Sequence, residues 1–191
     1  MTQPQGQAEP LTAEQVNAIT ALLSVSKTKK GIRDWAMFRL MICTMLRSCD
    51  IVSLTIGDVR ADDGSVRERL VLRQRKTHAT VQCVLVEKTR RAIAAHLDTN
   101  LAGRKKGAKL FEIGTRQLRN RVKAWAGMLG LDPRHRSAHS LRRTKSSIIY
   151  AETGNLRIVQ LGLGHSRISN TVSYLNVDGN KAMEVFGARD L

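Results

Sequence analysis

Aromatic residues are scarce in this chain, at 4% of its 191 residues. Proteins that hold single-stranded nucleic acid stack its bases on aromatic side chains, so this scarcity argues against that mode of binding. The sequence also lacks any apolar run approaching the ~20 residues of a membrane-spanning helix. Its first residues show neither the basic nor the apolar region of a secretory signal. We therefore expect a cytoplasmic protein without a membrane partner.

Cysteine is also rare, with three residues at Cys43, Cys49 and Cys83. They sit in apolar stretches without the spacing of metal ligands, and an odd number without a secretory signal indicates reduced thiols. No cluster of carboxylates offers a site for a divalent cation. We therefore expect neither a metal nor any other cofactor.

Acidic residues are outnumbered two to one, because 32 lysines and arginines face 16 aspartates and glutamates, for a net charge of +16. Such an excess costs self-repulsion, and a polyanionic partner explains it better than solubility alone. Together with the lack of aromatics, this charge predicts binding to the phosphates of double-stranded DNA. The candidate phosphate contacts are Lys27, Lys29, Lys30, Arg104, Lys105, Lys106, Arg116, Arg119, Arg121 and Arg143.

Length and periodicity predict one mainly helical domain with one small antiparallel β-sheet. Residues 1–10 are polar, with two prolines, and we expect a flexible lead before a domain over 11–191. Basic loops are expected over 27–31 and 101–109, a short strand or turn over 54–59, and a tail over 177–191. The predicted strands are 68–74 and 80–87, and the predicted helices are 12–23, 34–46, 88–97, 115–129, 140–152, 155–161 and 169–175.

A set of basic residues, followed by one tyrosine near the end of the chain, forms the candidate catalytic site. Two guanidiniums, an ammonium and two imidazoles could surround a phosphate, and a phenol could attack it. Arginine suits such a site because its planar fork grips phosphate oxygens and keeps its charge. The pattern predicts phosphoryl transfer through a tyrosine nucleophile, with the candidate catalytic residues Arg47, Lys76, His139, Arg142, His165 and Tyr174.

These residues resemble the motifs of the tyrosine recombinases, the phage-integrase and Xer-like family. The matching stretches are Met45-Leu-Arg, then a lysine between two predicted strands, His139-Ser-Leu-Arg, Leu163-Gly-His and Val172-Ser-Tyr. All six functional positions are filled in the family's order, which is far more specific than a single motif. The resemblance covers the chain from about residue 11 to its end and implies the family's catalytic-domain fold.

The chain departs from the family pattern at three points. The glycine usual two residues before the first arginine is Met45, and the glutamate usual three residues after it is Asp50. We expect local repacking at these positions rather than lost activity. The chain also has no room for the separate N-terminal DNA-clamping domain that family members commonly carry, so we expect a catalytic domain alone.

The resemblance implies a role for each residue in cleaving and rejoining DNA. Tyr174 would form a 3′-phosphotyrosyl link, with Arg47 and Arg142 on the phosphate oxygens. Lys76 would protonate the leaving 5′-oxygen, His139 would help to deprotonate the phenol, and His165 would bind the phosphate. Since Arg142 and Arg143 are adjacent on a helix, only one of them can join His139, and Arg143 is expected to contact the DNA backbone or to be a solvated charge. The resemblance further implies four protomers on two duplexes and a C-terminal tail that docks on a neighbour. Without a clamping domain the chain covers only about one face of the duplex, so we expect specificity to come from assembly on paired sites or from an accessory DNA-binding protein.

Other interpretations stay open at this point. A type IB topoisomerase would use the same chemistry without a partner duplex, and a non-catalytic DNA-binding regulator could retain the fold. Each residue alone also has a structural explanation: a tyrosine commonly packs in a core, and a single histidine is commonly structural. The sequence does not indicate the DNA target, or whether the outcome is integration, excision, inversion or resolution.

Overall fold

The computed structural model describes residues 8–165 and 167–175, which form helices and one hairpin. The strands β1 and β2 are Arg69–Arg73 and Thr80–Val84, and a short 3-10 helix covers Pro133–His135. The α-helices, in chain order from α1 to α9, are Ala13–Ser24, Lys29–Thr44, Ser48–Ile51, Ile56–Val59, Glu87–Asn100, Thr115–Gly127, Ala138–Thr153, Leu156–Leu163 and Ile168–Leu175. The mainly helical fold with one small antiparallel sheet is as predicted.

Helix α2 is the central element, and its sequence is apolar on nearly every side, as a buried helix requires. It begins where the Thr28 hydroxyl accepts a hydrogen bond from Gly31 N at 3.1 Å, a standard helix N-cap. It packs against α1, α5, α7 and β2. Phe38 of α2 meets Trp125 of α6 edge to face, with ring centroids 5.5 Å apart.

A buried carboxylate ties α2 to α6. Asp34 is 1% exposed and forms ion pairs with Arg33 and Arg121. Trp125 Nε1 approaches the same carboxylate at 3.4 Å. A buried charge needs such partners because taking it out of water is otherwise costly. The network therefore fixes how α6 lies on the core.

The hairpin places its turn beside the segment that carries Arg47 and Asp50. Leu70 faces Cys83 and Leu72 faces Val81 across the two strands, and these inward side chains pack on the core. The opposite face of the sheet, with Val71 and Val84, is exposed, as the two-residue period of a strand requires. Lys76 lies in the turn between the strands.

The last three helices form a compact group. Ser137 caps α7, and Gly154 ends it with a φ of 63°, a left-handed conformation that glycine adopts at little cost. Helix α8 packs on α7 and α9. A small apolar cluster, separate from the main core, supports them: Met45, Val159 and Leu163, flanked by Ile149, Tyr150, Tyr174 and Leu175.

Several predicted boundaries are corrected by the structure. Residues 29–31, expected in a loop, form the first turn of α2, and 56–59, within the range expected to be a short strand or turn, form a one-turn helix. Within the predicted lead, Glu9 N donates to His135 O at 3.1 Å and the Glu9 carboxylate pairs with Arg136. The rest of that lead, 1–7, and the predicted tail, 177–191, lie outside the described residues.

No helix of the described part is long and apolar enough to cross a membrane.

Candidate active site

Arg142 is the most firmly held residue of the site, because it is 2% exposed and anchored to two other helices. Its Nη1 donates to the carbonyl of Met45, just after α2, and its Nη2 donates to Leu163 O at the end of α8, at 2.8 Å. An arginine has more N–H donors than these two bonds use. The guanidinium is therefore fixed in place with donors left for a ligand.

The sequence predicts a buried helix over 34–46, directly before Arg47, but the structure separates the two. Helix α2 ends at Thr44, Met45 takes a left-handed conformation with a φ of 53°, and Arg47 begins α3 in an extended conformation. Its Nη1 donates to the side-chain oxygen of Gln74 at 2.5 Å. Met45 stands where the family pattern has glycine. Glycine adopts a left-handed conformation at little cost, which explains why the pattern has glycine there.

Asp50, the other departure from the family pattern, links α3 to the hairpin turn. It is fully buried, and its carboxylate accepts a hydrogen bond from Arg75 N at 2.9 Å. That bond holds the turn that carries Lys76 beside Arg47. Aspartate in place of glutamate therefore still reaches a backbone donor.

Tyr174 lies inside a ring of cationic and imidazole groups. The rings of His139 and His165 meet its ring edge to face, with centroids 5.6 and 5.4 Å away. The guanidinium carbons of Arg142 and Arg143 are 5.9 and 5.7 Å from its centroid, within the usual range of a cation–π contact. Residues far apart in the sequence are thus brought together around one phenol.

The Tyr174 hydroxyl is buried and has no well-formed hydrogen bond to a described residue. Burial raises the pKa of Tyr174 to about 12, although the positive charges of Arg142, Arg143 and Arg47 oppose this rise. Arg142 therefore acts on the phenol mainly through its charge. Without DNA, the phenol stays protonated at neutral pH.

Both site histidines are held in their neutral form. Burial, followed by the charges of Arg142 and Arg47, lowers the pKa of His165 to about 4. Burial also lowers the pKa of His139, with further contributions from Arg142, Arg143, Arg47 and Lys76. His165 Nδ1 pairs with the buried Thr171 hydroxyl at 3.1 Å, which fixes the ring and leaves the other nitrogen for a ligand.

Lys76 is exposed and makes no hydrogen bond or ion pair with any described residue. Its charge reaches His139, whose pKa it helps to lower. The lysine is therefore close enough to act on the site electrostatically.

The predicted DNA-binding residues fall into four groups. Arg143 is 9% exposed, donates to Ala8 O at 3.1 Å and lies against Tyr174, so it is not a solvated charge, and its contact with the DNA backbone stays a prediction. Arg121 is held by the buried Asp34. Arg104 and Lys106 form surface ion pairs with Glu112 and Asp62. The exposed cations without such a partner are Lys27, Lys29, Lys30, Lys105, Arg116 and Arg119.

Gln74 is a site residue that the sequence analysis missed. It is 1% exposed, and its side chain bonds Arg47 and Thr77. The signal was present, because positions 70, 72 and 74 alternate towards the core, and a glutamine at an inward position needs a polar partner. His96, by contrast, stacks on Phe111 and bonds Leu110 O, which is a structural role.

Comparison with known proteins agrees with this geometry. The family model described as the Phage integrase family matches residues 9–181. The chain belongs to the phage integrase family. It is 28% identical over 95% of its length to tyrosine recombinase XerD of Vibrio vulnificus, and 30% identical over 92% to tyrosine recombinase XerC of Neisseria meningitidis serogroup B. It spans 61% and 58% of these relatives, about six-tenths of their length.

Solved structures show the same fold for this phage integrase family member. The whole chain aligns with 67% of XerA recombinase at a TM-score of 0.75 and 18% identity. The catalytic domain of bacteriophage HP1 integrase aligns over 97% of its own length with 97% of this chain, at a TM-score of 0.60 and 17% identity. The resemblance read from the motifs is thereby confirmed, and so is the catalytic-domain fold.

Proposed function

We propose that this chain carries out site-specific DNA recombination through a 3′-phosphotyrosyl intermediate. The observation that carries the proposal is the position of Tyr174, whose ring is surrounded by His139, His165 and Arg142. A protein that only bound DNA would gain nothing from a tyrosine inside such a cluster. The names of the relatives, tyrosine recombinases XerC and XerD, support the same reaction.

The proposed first step is an in-line attack of Tyr174 Oη on a scissile phosphodiester. The O–P bond forms as the bond to the 5′-oxygen breaks, which leaves a free 5′-hydroxyl. Arg142 and Arg47 bind the non-bridging oxygens and stabilise the negative charge of the transition state. Since Arg142 is buried and anchored to Met45 and Leu163, little reorganisation is needed when the charge develops.

Two proton transfers accompany this step. The phenol, with its pKa of about 12, must lose a proton, and the neutral His139 beside it can accept that proton. The leaving 5′-oxygen must gain a proton, and Lys76 in the hairpin turn is the proposed donor. A bound phosphodiester also brings negative charge, which offsets the arginines and makes both imidazoles more basic.

The reaction needs neither a metal nor ATP in this proposal. The arginines supply the positive charge that a metal would otherwise supply. The energy of the broken bond is kept in the phosphotyrosine, so a 5′-hydroxyl of a partner strand can reverse the step. We further propose that four protomers act on two duplexes, with the C-terminal residues docking on a neighbour and an accessory DNA-binding protein assisting. The protein would then act in the cytoplasm, associated with DNA.

The first test must find the DNA site as well as the reaction. Nicked duplexes of random sequence trap a covalent intermediate, because the short fragment that bears the free 5′-hydroxyl diffuses away and cannot reverse the step. We expect a protein–DNA adduct that survives a denaturing gel, and sequencing its DNA identifies the preferred site. If no adduct forms on any sequence, the chain is a DNA-binding regulator.

A plasmid with two copies of that site separates recombination from topoisomerase activity. We expect resolution into two circles that depends on both copies. Relaxation of supercoils with no exchange, at equal rates on plasmids with one or two copies, would instead assign a type IB topoisomerase.

Binding of one protomer to DNA should depend steeply on salt. If the six exposed cations Lys27, Lys29, Lys30, Lys105, Arg116 and Arg119 engage phosphates, log K should fall against log salt with a slope near −5, from roughly 0.9 per phosphate. Arg119→Ala should reduce the slope by about one. Arg91→Ala removes an exposed arginine outside this set and should leave the slope unchanged. A slope shallower than about −2 together with nanomolar affinity at physiological salt would contradict this binding surface.

A further inference from the structure

Gln74 lies where two segments of the candidate site meet. It follows β1 directly, and its side-chain oxygen accepts hydrogen bonds from Arg47 Nη1 at 2.5 Å and from the Thr77 hydroxyl at 2.7 Å. Arginine is only a donor, so the amide oxygen must face Arg47. One buried amide therefore connects the arginine after α2 to the turn that carries Lys76.

A third segment approaches Gln74 closely at Gly164, the residue before His165. A Cβ at Gly164 would lie 2.7 Å from Val81 Cγ1 and 3.4 Å from Gln74 Nε2. Only a residue without a side chain allows the hairpin to approach the end of α8 in this way. The glycine of the Leu-Gly-His motif thus makes room for the hairpin and for Gln74.

We propose that Gln74 is a positioning residue that orients the Arg47 guanidinium towards the scissile phosphate, an inference that rests on the proposed function. The bond to Gln74 is the only hydrogen bond that the Arg47 side chain makes with a described residue. Arg47 begins a one-turn helix without a cap from its own side chain. Without Gln74, this long side chain would have many rotamers, whereas Arg142 is held by two carbonyls.

The chemistry of an amide suits this task better than that of a carboxylate. A carboxylate at this position would neutralise Arg47 and repel the phosphate, whereas a neutral amide holds the guanidinium and leaves its full charge for the ligand. The second bond, from Thr77, fixes the amide oxygen itself. The same contact also sets the position of the Lys76 turn relative to Arg47.

The test is a double-mutant cycle on the rate of phosphotyrosyl formation, measured in single turnover at saturating nicked duplex. Gln74→Met keeps the length of the side chain and removes the acceptor. We expect it to slow cleavage by about 10- to 100-fold, the scale for a group misplaced by about 1 Å, with DNA affinity unchanged. In a protein that already carries Arg47→Ala, Gln74→Met should slow cleavage by less than about twofold. Cleavage by this slow background can be followed over hours, because the trapped adduct accumulates irreversibly.

Two controls separate this role from a structural one. Gln82→Met makes the same change on the exposed face of the sheet and should leave the rate unaltered. If Gln74→Met fails to fold, Gln74→Asn serves in its place, because it keeps a buried amide but draws the oxygen back from Arg47. An equal rate loss in both backgrounds, or no loss in the unaltered background, would overturn the role of Gln74. Failure of the unaltered protein to form an adduct would instead contradict the proposed function.

Discussion

Tyr174→Phe is expected to bind duplex DNA with the affinity of the unaltered protein and to form no covalent adduct with it. The change removes one oxygen from a ring that lies between His139 and His165. That oxygen has no well-formed hydrogen bond to a described residue, so its removal breaks little structure. The measurement is a denaturing gel after incubation with the nicked duplex, alongside a binding titration.

Tyr150→Phe is the matched control, because it removes the same oxygen from the only other tyrosine in the chain. It should form the adduct at the rate of the unaltered protein. An adduct with Tyr174→Phe would show that a different nucleophile attacks the phosphate. Unfolding temperatures of the two variants should agree with that of the unaltered protein.

Arg142→Ala is expected to lower the rate of cleavage at saturating DNA by roughly 10²–10³-fold. This factor corresponds to about 2.7–4 kcal/mol of transition-state stabilisation, the scale for losing one preorganised donor. The loss should be larger than for Arg143→Ala, because Arg142 is anchored at both Met45 and Leu163. Single-turnover rates at saturating DNA measure it.

Folding and binding must be separated from this effect. Arg142→Lys keeps a positive charge but lacks the planar fork, so it should fold and still cleave slowly. Arg116→Ala removes an exposed cation of α6, and it should weaken binding without changing the saturated rate. Equal rate losses in Arg142→Ala and Arg143→Ala would contradict the proposal that Arg142, rather than Arg143, stabilises the transition state.

Local signals in the sequence predict most of the helices well. The cap at Thr12 gives the start of α1, and Gly154 gives the end of α7. The same chemistry was overlooked at Thr28, which begins α2 earlier than predicted, and at Thr55, whose pairing with Asp58 makes a one-turn helix. These errors come from reading charge and β-branching as a loop or strand when a cap was present.

Long-range hydrogen bonds explain what local signals could not predict. The motifs identify Arg47 and Arg142, but not the carbonyls and the amide that hold them. The bond from Arg142 to Met45 spans 97 positions, and the bond from Arg47 to Gln74 spans 27. Burial of Arg143 is likewise tertiary, since its neighbour Ala8 precedes it by 135 positions. Such contacts exist only after the helices have packed.

The apolar support of Tyr174 has a consequence for stability. Helices α8 and α9 rest on the small cluster around Met45, Val159 and Leu163, whereas α2, α5 and α6 share the large core. Elements with few buried contacts unfold locally at a lower free energy than the domain as a whole. We therefore expect the last two helices to open at a lower free energy than the rest of the domain. Such an opening withdraws the phenol and His165 from the arginines, so the chain can lose its reactive centre without losing its fold.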